Sequence, residues 1–345
     1  MEIFRTDCAQ TGDLPRVSAI ESALRSHRLT PMGRTGSYEY VNSSSLNRRG
    51  FLRGASGLTL GLAVGGGALV SGCTSISVAA DGEGGDLLNR LRDEGNVRMG
   101  FANERPFGFI NKEGVLTGEA PEVGKEIFRR LGVDSFEPKL ADFSSLIPGL
   151  KAGLFDVISA GMYITPARCA EIEFTNPDYN APAALLLPRG NPMGLSDLDS
   201  VVEKRARIGV LTGSVEEGYA SDVGIPGGRI VVFPDQSSGI DGVLANRADC
   251  LMLTRLSLDA ALGQRQGIAL EVGETFVPIV NGVKQYGAGG FGFRKGETAI
   301  VDEFNRELAA MQRSGDVLRL TRPFGFSQDE MTDLTAQALC TGTAD

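Results

Sequence analysis

Short apolar runs alternate with amphipathic ones twice over between Val97 and Gln264, and this alternation limits the chain to an α/β fold. Val97–Phe101 reads as a short strand that breaks at Asn103-Glu104-Arg105-Pro106-Phe107. Pro121–Leu131 then places Val123, Ile127, Phe128 and Leu131 on one helical face. Phe143-Ser144-Ser145 opens a helix carrying Leu146, Ile147 and Leu150, stopped by Gly153, and the strand Phe155–Ala160 follows. The second round runs from strand Ala206–Leu211 through a helix started at Thr212-Gly213-Ser214. It continues with strand Ile230–Phe233, helix Ser238–Asn246, strand Cys250–Leu253 and helix Arg255–Gln264. Ser214 and Glu217 stand at capping-box spacing. Ala184–Pro188 and Tyr286–Arg294 read as extended crossings, and Ile300–Arg313 as a closing helix with Val301, Phe304, Leu308 and Met311 on one face. The expected fold is α/β and two-lobed. Each lobe is a mainly parallel sheet flanked by helices, and two crossing hinge segments join lobe 1 (87–186 and 288–345) to lobe 2 (187–287).

Within that frame one turn carries the chemistry. Gly161-Met162-Tyr163-Ile164-Thr165-Pro166-Ala167-Arg168 follows a buried strand, with Thr165 as a helix N-cap and Pro166 at the first helical position. Ligands of open α/β sheets sit at such strand ends. The turn offers backbone N–H groups, the face of Tyr163 and the guanidinium of Arg168, a receptor for a small carboxylate that also carries positive charge. Catalytic and metal chemistry find few residues. The single histidine, His27, lies in the leader, which removes His-based triads and His-ligated zinc. No Cys-x-x-Cys pair exists, so no metal and no cofactor is expected. The net charge of −9, without a basic block past the leader, speaks against nucleic acid. The glycines of 287–292 precede no helix and no Gly-Lys-Ser/Thr, so they make no phosphate loop.

The N-terminal region reads as an export signal. Residues 1–46 are a poorly ordered leader or a start-site extension. Across 47–72, Arg48-Arg49-Gly50-Phe51-Leu52 resembles a twin-arginine signal, followed by an uncharged, Gly-rich apolar run. The run ends Leu69-Val70-Ser71-Gly72-Cys73, similar to a lipobox. Cys73 is therefore the expected lipidated residue, with 73–86 as its tether; an uncleaved membrane anchor is the alternative. Either way the functional part lies outside the cytoplasmic membrane. Cys169, Cys250 and Cys340 remain, in a compartment where disulfides persist. The candidate pair is Cys169–Cys340 with Cys250 buried and free; spacing does not separate it from three unpaired thiols.

The leader, the repeated βαβ pattern and the strand Phe155-Asp156-Val157-Ile158 resemble the solute-binding proteins of polar amino-acid ABC importers, over nearly all of 95–340. Four stretches are similar to the ectoine/hydroxyectoine-binding branch: 100–107, 116–122, 145–153 and 160–169; so is the ending Arg322-Pro323-Phe324-Gly325-Phe326. That resemblance implies a type II periplasmic-binding-protein fold and a monomeric receptor that hands its solute to permease subunits. It implies that Arg168 holds the solute carboxylate and that Phe107, Phe143 and Tyr163 cage its delocalised cation. Glu104 would accept from the ring nitrogens. Amino-acid receptors of this type carry an Asp after the second-lobe strand to bind an α-ammonium. Thr254 stands there instead, which favours a cyclic or substituted amine. Gly161 completes the turn, and the helix N-terminus at Gly213-Ser214-Val215 offers N–H groups to a carboxylate. Arg105 beside the cage adds an unwanted charge if it points inward, and Asp156 is expected to be structural. Alternative readings are a receptor for another polar amino acid or a betaine, and a dehydratase-like enzyme. An enzyme needs a placed acid or base, and Glu104 is the only nominee.

Overall fold

The computed structural model describes residues 87–265 and 267–343. The expected leader, the twin-arginine signal, Cys73 and the tether lie outside the described residues. The first part of the chain runs α1 (Leu87–Glu94), β1 (Asn96–Phe101), a hairpin of β2 (Phe109–Ile110) and β3 (Leu116–Thr117), α2 (Glu119–Arg130), β4 (Ser135–Leu140), α3 (Leu146–Lys151), β5 (Val157–Tyr163), α4 (Pro166–Glu171), β6 (Glu173–Phe174) and β7 (Tyr179–Asn180). The second runs β8 (Ala183–Pro188), α5 (Leu198–Glu203), β9 (Ile208–Leu211), α6 (Val215–Asp222), β10 (Ile230–Phe233), α7 (Gln236–Leu244), β11 (Cys250–Thr254), α8 (Arg255–Gly263) and β12 (Leu270–Val272). A hairpin of β13 (Ile279–Val280) and β14 (Val283–Lys284) leads to β15 (Ala288–Phe293), and α9 (Thr298–Ser314), α10 (Asp316–Thr321) and α11 (Ala336–Thr341) end the chain.

Two sheets result, one of order β4-β1-β5-β15-β6 with β7 also on β15, the other of order β10-β9-β11-β8-β12. Both are mixed, yet in each only one strand runs against a majority that shares a direction, so the expected mainly parallel, helix-flanked sheets hold with one antiparallel strand apiece. In the first, β4, β1 and β5 are parallel while β15 runs antiparallel to β5, β6 and β7. In the second, β10, β9 and β11 are parallel while β8 is antiparallel to β11 and β12. The βαβ crossovers give the parallel part. The crossing segments arrive from the other sheet and enter in the opposite sense.

The first crossing also lies earlier than expected. β8 pairs with β11 and β12, so residues 183–186 belong to the second sheet, not to the first lobe. Its run of apolar residues is buried on both faces, which suits an interior strand and not a link between lobes. The chain leaves the first sheet after β7 and crosses at Ala181-Pro182. Each sheet is covered on both faces. The first has Val97, Met99, Phe128 and Phe304 on one side and Leu146, Leu150, Ile158 and Ile164 on the other. The second has Ile208, Val210 and Met252 on one side and Phe233, Ile240 and Leu251 on the other. A fifth cluster, of Phe107, Tyr163, Tyr179, Leu256 and Phe326, spans the cleft between the sheets.

Candidate functional site

The site starts at the carboxyl end of β5. Gly161 has φ +60°, a left-handed conformation, and a Cβ there would lie 2.4 Å from the Phe107 ring. Glycine therefore lets that side chain pack directly against the strand end. Tyr179 holds the turn by donating its hydroxyl to the Gly161 carbonyl at 2.7 Å, and its ring packs 5.1 Å from that of Phe107. Tyr163 donates its own hydroxyl to Ala181 O at 2.8 Å, on the first crossing. Thr165 caps α4, accepting from the Arg168 N–H at 3.3 Å. The Arg168 guanidinium then donates to Tyr163 O at 2.8 Å and, across the cleft, to Gly213 O at 3.1 Å. Its carbon sits 5.3 Å from the Phe143 ring centroid. Burial lowers the pKa of Arg168, yet a guanidinium keeps its charge.

Glu104, Phe107, Phe143, Gly161, Tyr163, Arg168, Ser214 and Thr254 all line one pocket between the sheets. Leu211, Val215, Leu253 and a second acid, Glu216, complete its wall. Glu104 accepts from the Ser257 hydroxyl at 2.6 Å, a bond between the lobes. Burial pushes the Glu104 carboxyl up to about 7; the Ser257 bond opposes this and nearby Glu216 adds to it. Burial also raises Glu216, against hydrogen bonds from its own N–H and the Ser214 hydroxyl and the charge of Arg168. One guanidinium thus shares the pocket with two acids whose carboxyl pKa burial raises.

Two expectations change at the second lobe. Glu217 reaches back to the Gly213 N–H at 2.8 Å and not to that of Ser214, so the expected capping box is shifted by one residue. The Ser214 N–H donates to Leu211 O at 3.1 Å. Two of the three N–H groups expected to grip a carboxylate are therefore engaged within the lobe. Thr254 is buried in the pocket wall, where its hydroxyl oxygen caps α8 by accepting from the Ser257 N–H at 3.0 Å. Arg105 lies over the Phe109 ring at 3.7 Å, outside the pocket, so it adds no charge to the cage. Sequence reasoning missed Glu216 and Ser257. Glu216 stands between the capping residues Ser214 and Glu217, where an acid reads as helix-start chemistry. Ser257 reads as one more polar residue in the first turn of α8.

The match to known proteins is extensive. Residues 97–327 match the family described as bacterial extracellular solute-binding proteins, family 3. The chain belongs to this family. A probable amino-acid ABC-transporter periplasmic-binding protein of Sinorhizobium fredii is 26% identical over 279 residues, 79% of this chain and 92% of that protein. The L-arginine-binding protein of Pseudomonas aeruginosa is 30% identical over 224 residues, 64% of this chain and 83% of that one. The crystal structure of EhuB in complex with hydroxyectoine superposes with a TM-score of 0.68 at 34% identity, covering 74% of this chain and 98% of that one. As a family 3 solute-binding protein, the chain has the type II periplasmic-binding-protein fold and serves an amino-acid-type ABC transporter, binding a small solute outside the cytoplasm for permease subunits. These relatives are binding proteins, not enzymes. Among the described residues no helix is long and apolar enough to cross a membrane, and no three His, Cys, Asp or Glu side chains gather to hold a metal.

Proposed function

We propose that the pocket captures ectoine or hydroxyectoine and that the closed protein delivers it to an ABC permease. The observation that carries this reading is the meeting of one guanidinium, three aromatic side chains and a buried carboxylate around a single cleft. Arg168 takes the solute carboxylate with charge-assisted bonds worth about 1.5–3 kcal/mol. Phe107, Phe143 and Tyr163 face the delocalised cation, an attraction of about 2 kcal/mol in a dry site. Glu104 accepts from the ring nitrogens. The likeness to a hydroxyectoine-bound structure supports the choice of solute. Thr254 supports it too, because no Asp waits there for an α-ammonium. Closure is a hinge motion of the two lobes about the crossings. The lipid anchor at Cys73 after twin-arginine export belongs to the same proposal.

One observation favours a second reading. Glu216 gives the pocket two acids against one guanidinium, a balance that suits a solute of net positive charge such as a cationic amino acid. Calorimetric titration of the full chain with ectoine, hydroxyectoine, glycine betaine, L-glutamine and L-arginine separates the two. Saturable heat with the ectoines, lost in Arg168→Ala and weakened at least about tenfold in Phe107→Ala, is the expected outcome. Heat with arginine alone replaces the cyclic solute by the cationic one.

A further inference from the structure

The geometry points to the Cys169–Cys340 disulfide as the device that positions Arg168 for the solute carboxylate. This inference rests on the reading of Arg168 as the carboxylate ligand. Cys169 and Cys340 are disulfide-bonded, and Cys169 is the residue next to Arg168 on α4. That helix is six residues long and none of its residues is buried. Short helices of this kind are marginal without tertiary support. At its ends α4 is held by the Thr165 cap and by the hydrogen bonds from Cys169 N to Thr165 O and from Ile172 N to Arg168 O. Lys151 pairs with Glu171 at its far end, but both are about half exposed, and such pairs contribute little.

The principal neighbour of α4 is α11. α11 is anchored in turn. Leu339 is buried in the cluster of Ile158, Ile164 and Phe174, and the Ala336 N–H donates to Asn176 Oδ1 at 3.0 Å. The Asn176 N–H itself donates to Asn305 Oδ1 on α9 at 2.7 Å. A continuous path therefore runs from the long helix α9 through Asn176 and α11 to the disulfide, and so to the residue beside the guanidinium. Opening the disulfide frees α4 to shift. A guanidinium fork loses bidentate alignment over small displacements, whereas the aromatic faces of Phe107 and Tyr163 sit on other elements and stay in place. Carboxylate recognition is lost and cation recognition is kept.

The test compares solute pairs that differ only in the carboxylate: ectoine against its carboxamide, and L-arginine against L-argininamide. Each is titrated into the full chain, disulfide-intact, as Cys340→Ser, and after reduction with dithiothreitol followed by reoxidation. Circular dichroism reports whether each form is folded, and the reduced native chain serves if the variant does not fold. The expected result is a preference for the acid over the amide of at least about tenfold in the intact protein. That preference should collapse when the disulfide opens and return on reoxidation, with amide affinity unchanged. Equal weakening of acid and amide would show a general loosening and overturn the inference; so would an unchanged preference. Arg168→Ala is the separate control. If it keeps the preference for the acid, the carboxylate role of Arg168 fails and the inference falls with it. If only Cys340→Ser and reduction keep the preference, the role of Arg168 stands and the inference alone fails.

Discussion

Glu104 sets how solute affinity responds to pH. Its carboxyl titrates at about 7 because it is buried, and a solute cation prefers the ionised form. Below that value, binding must expel a proton. Affinity should therefore fall about tenfold per unit as pH drops under 7 and level off above it. The effect on folding has the opposite sign. A carboxyl raised above its unfolded value contributes stability at low pH that is lost as pH rises through the folded value, and a bound cation restores it. Titrations across pH 5.5–8.5 check this, and Glu104→Gln should flatten the profile. A slope that survives in Glu104→Gln would move the effect to Glu216, whose carboxyl is raised by the same burial.

At the scale of elements the two sheets repeat one device. Arg98 at β1 donates its backbone N–H and side chain to Asp156, just ahead of β5, and a further N–H to Gly153 O. Arg207, just ahead of β9, does the same to Asp249 and to Asn246 O. Asp156 is buried and also takes Arg90, while Asp249 is partly exposed. Removing the charge should therefore cost unequally in urea unfolding. Asp156→Asn should lose about 3 kcal/mol, the low end for a buried pair because its arginines keep contact with water, and Asp249→Asn about 1 kcal/mol or less. Burial alone would raise Asp156, but the hydrogen bonds from Arg98 and Arg90 outweigh it and hold the carboxyl below the usual range; those from Arg207 do so for Asp249. Both contributions are present at neutral pH and vanish as pH falls through the lowered values. Equal losses in the two variants would contradict the role of burial. The same elements show what a sequence makes legible. The βαβ alternation and the Gly161 turn were readable because periodicity, caps and turn residues act over a few positions. The aromatic set of Phe107, Phe143 and Tyr163 came instead from the family resemblance, since an isolated Phe reads locally as core. The allegiance of residues 183–186 was not, since β8 is defined by partners at β11 and β12. Glu216 was hidden because an acid at a helix start has a sufficient local explanation.

At the scale of the molecule, three hydrogen bonds among the described residues join the lobes over the pocket: Ser257 to Glu104, Arg168 to Gly213 O, and Gln236 Nε2 to Arg105 O at 2.9 Å. Leu256 adds an apolar contact against the cluster of Phe107, Tyr179 and Phe326. Gly213 shows how close the lobes come, for a Cβ there would lie 2.9 Å from that of Ser144. Two of the three bonds use groups that line the pocket, so their loss confuses closure with solute contact. Gln236 does not line it, which makes it the cleaner probe of closure. Its bond to Arg105 exists only with the lobes together, so Gln236→Ala should lower the closed population. Because Nε2 also donates to Ser257 O and Oγ within its own lobe, thermal unfolding is the control. One such hydrogen bond corresponds to about a threefold to tenfold change in an equilibrium. The expected result is solute dissociation faster by about that factor, with association and the unliganded melting temperature unchanged. Stopped-flow release and thermal unfolding read the two quantities separately. If the unliganded protein instead melts earlier by an equivalent amount, Gln236 serves the fold of its own lobe through its bonds to Ser257, and closure rests on the remaining contacts.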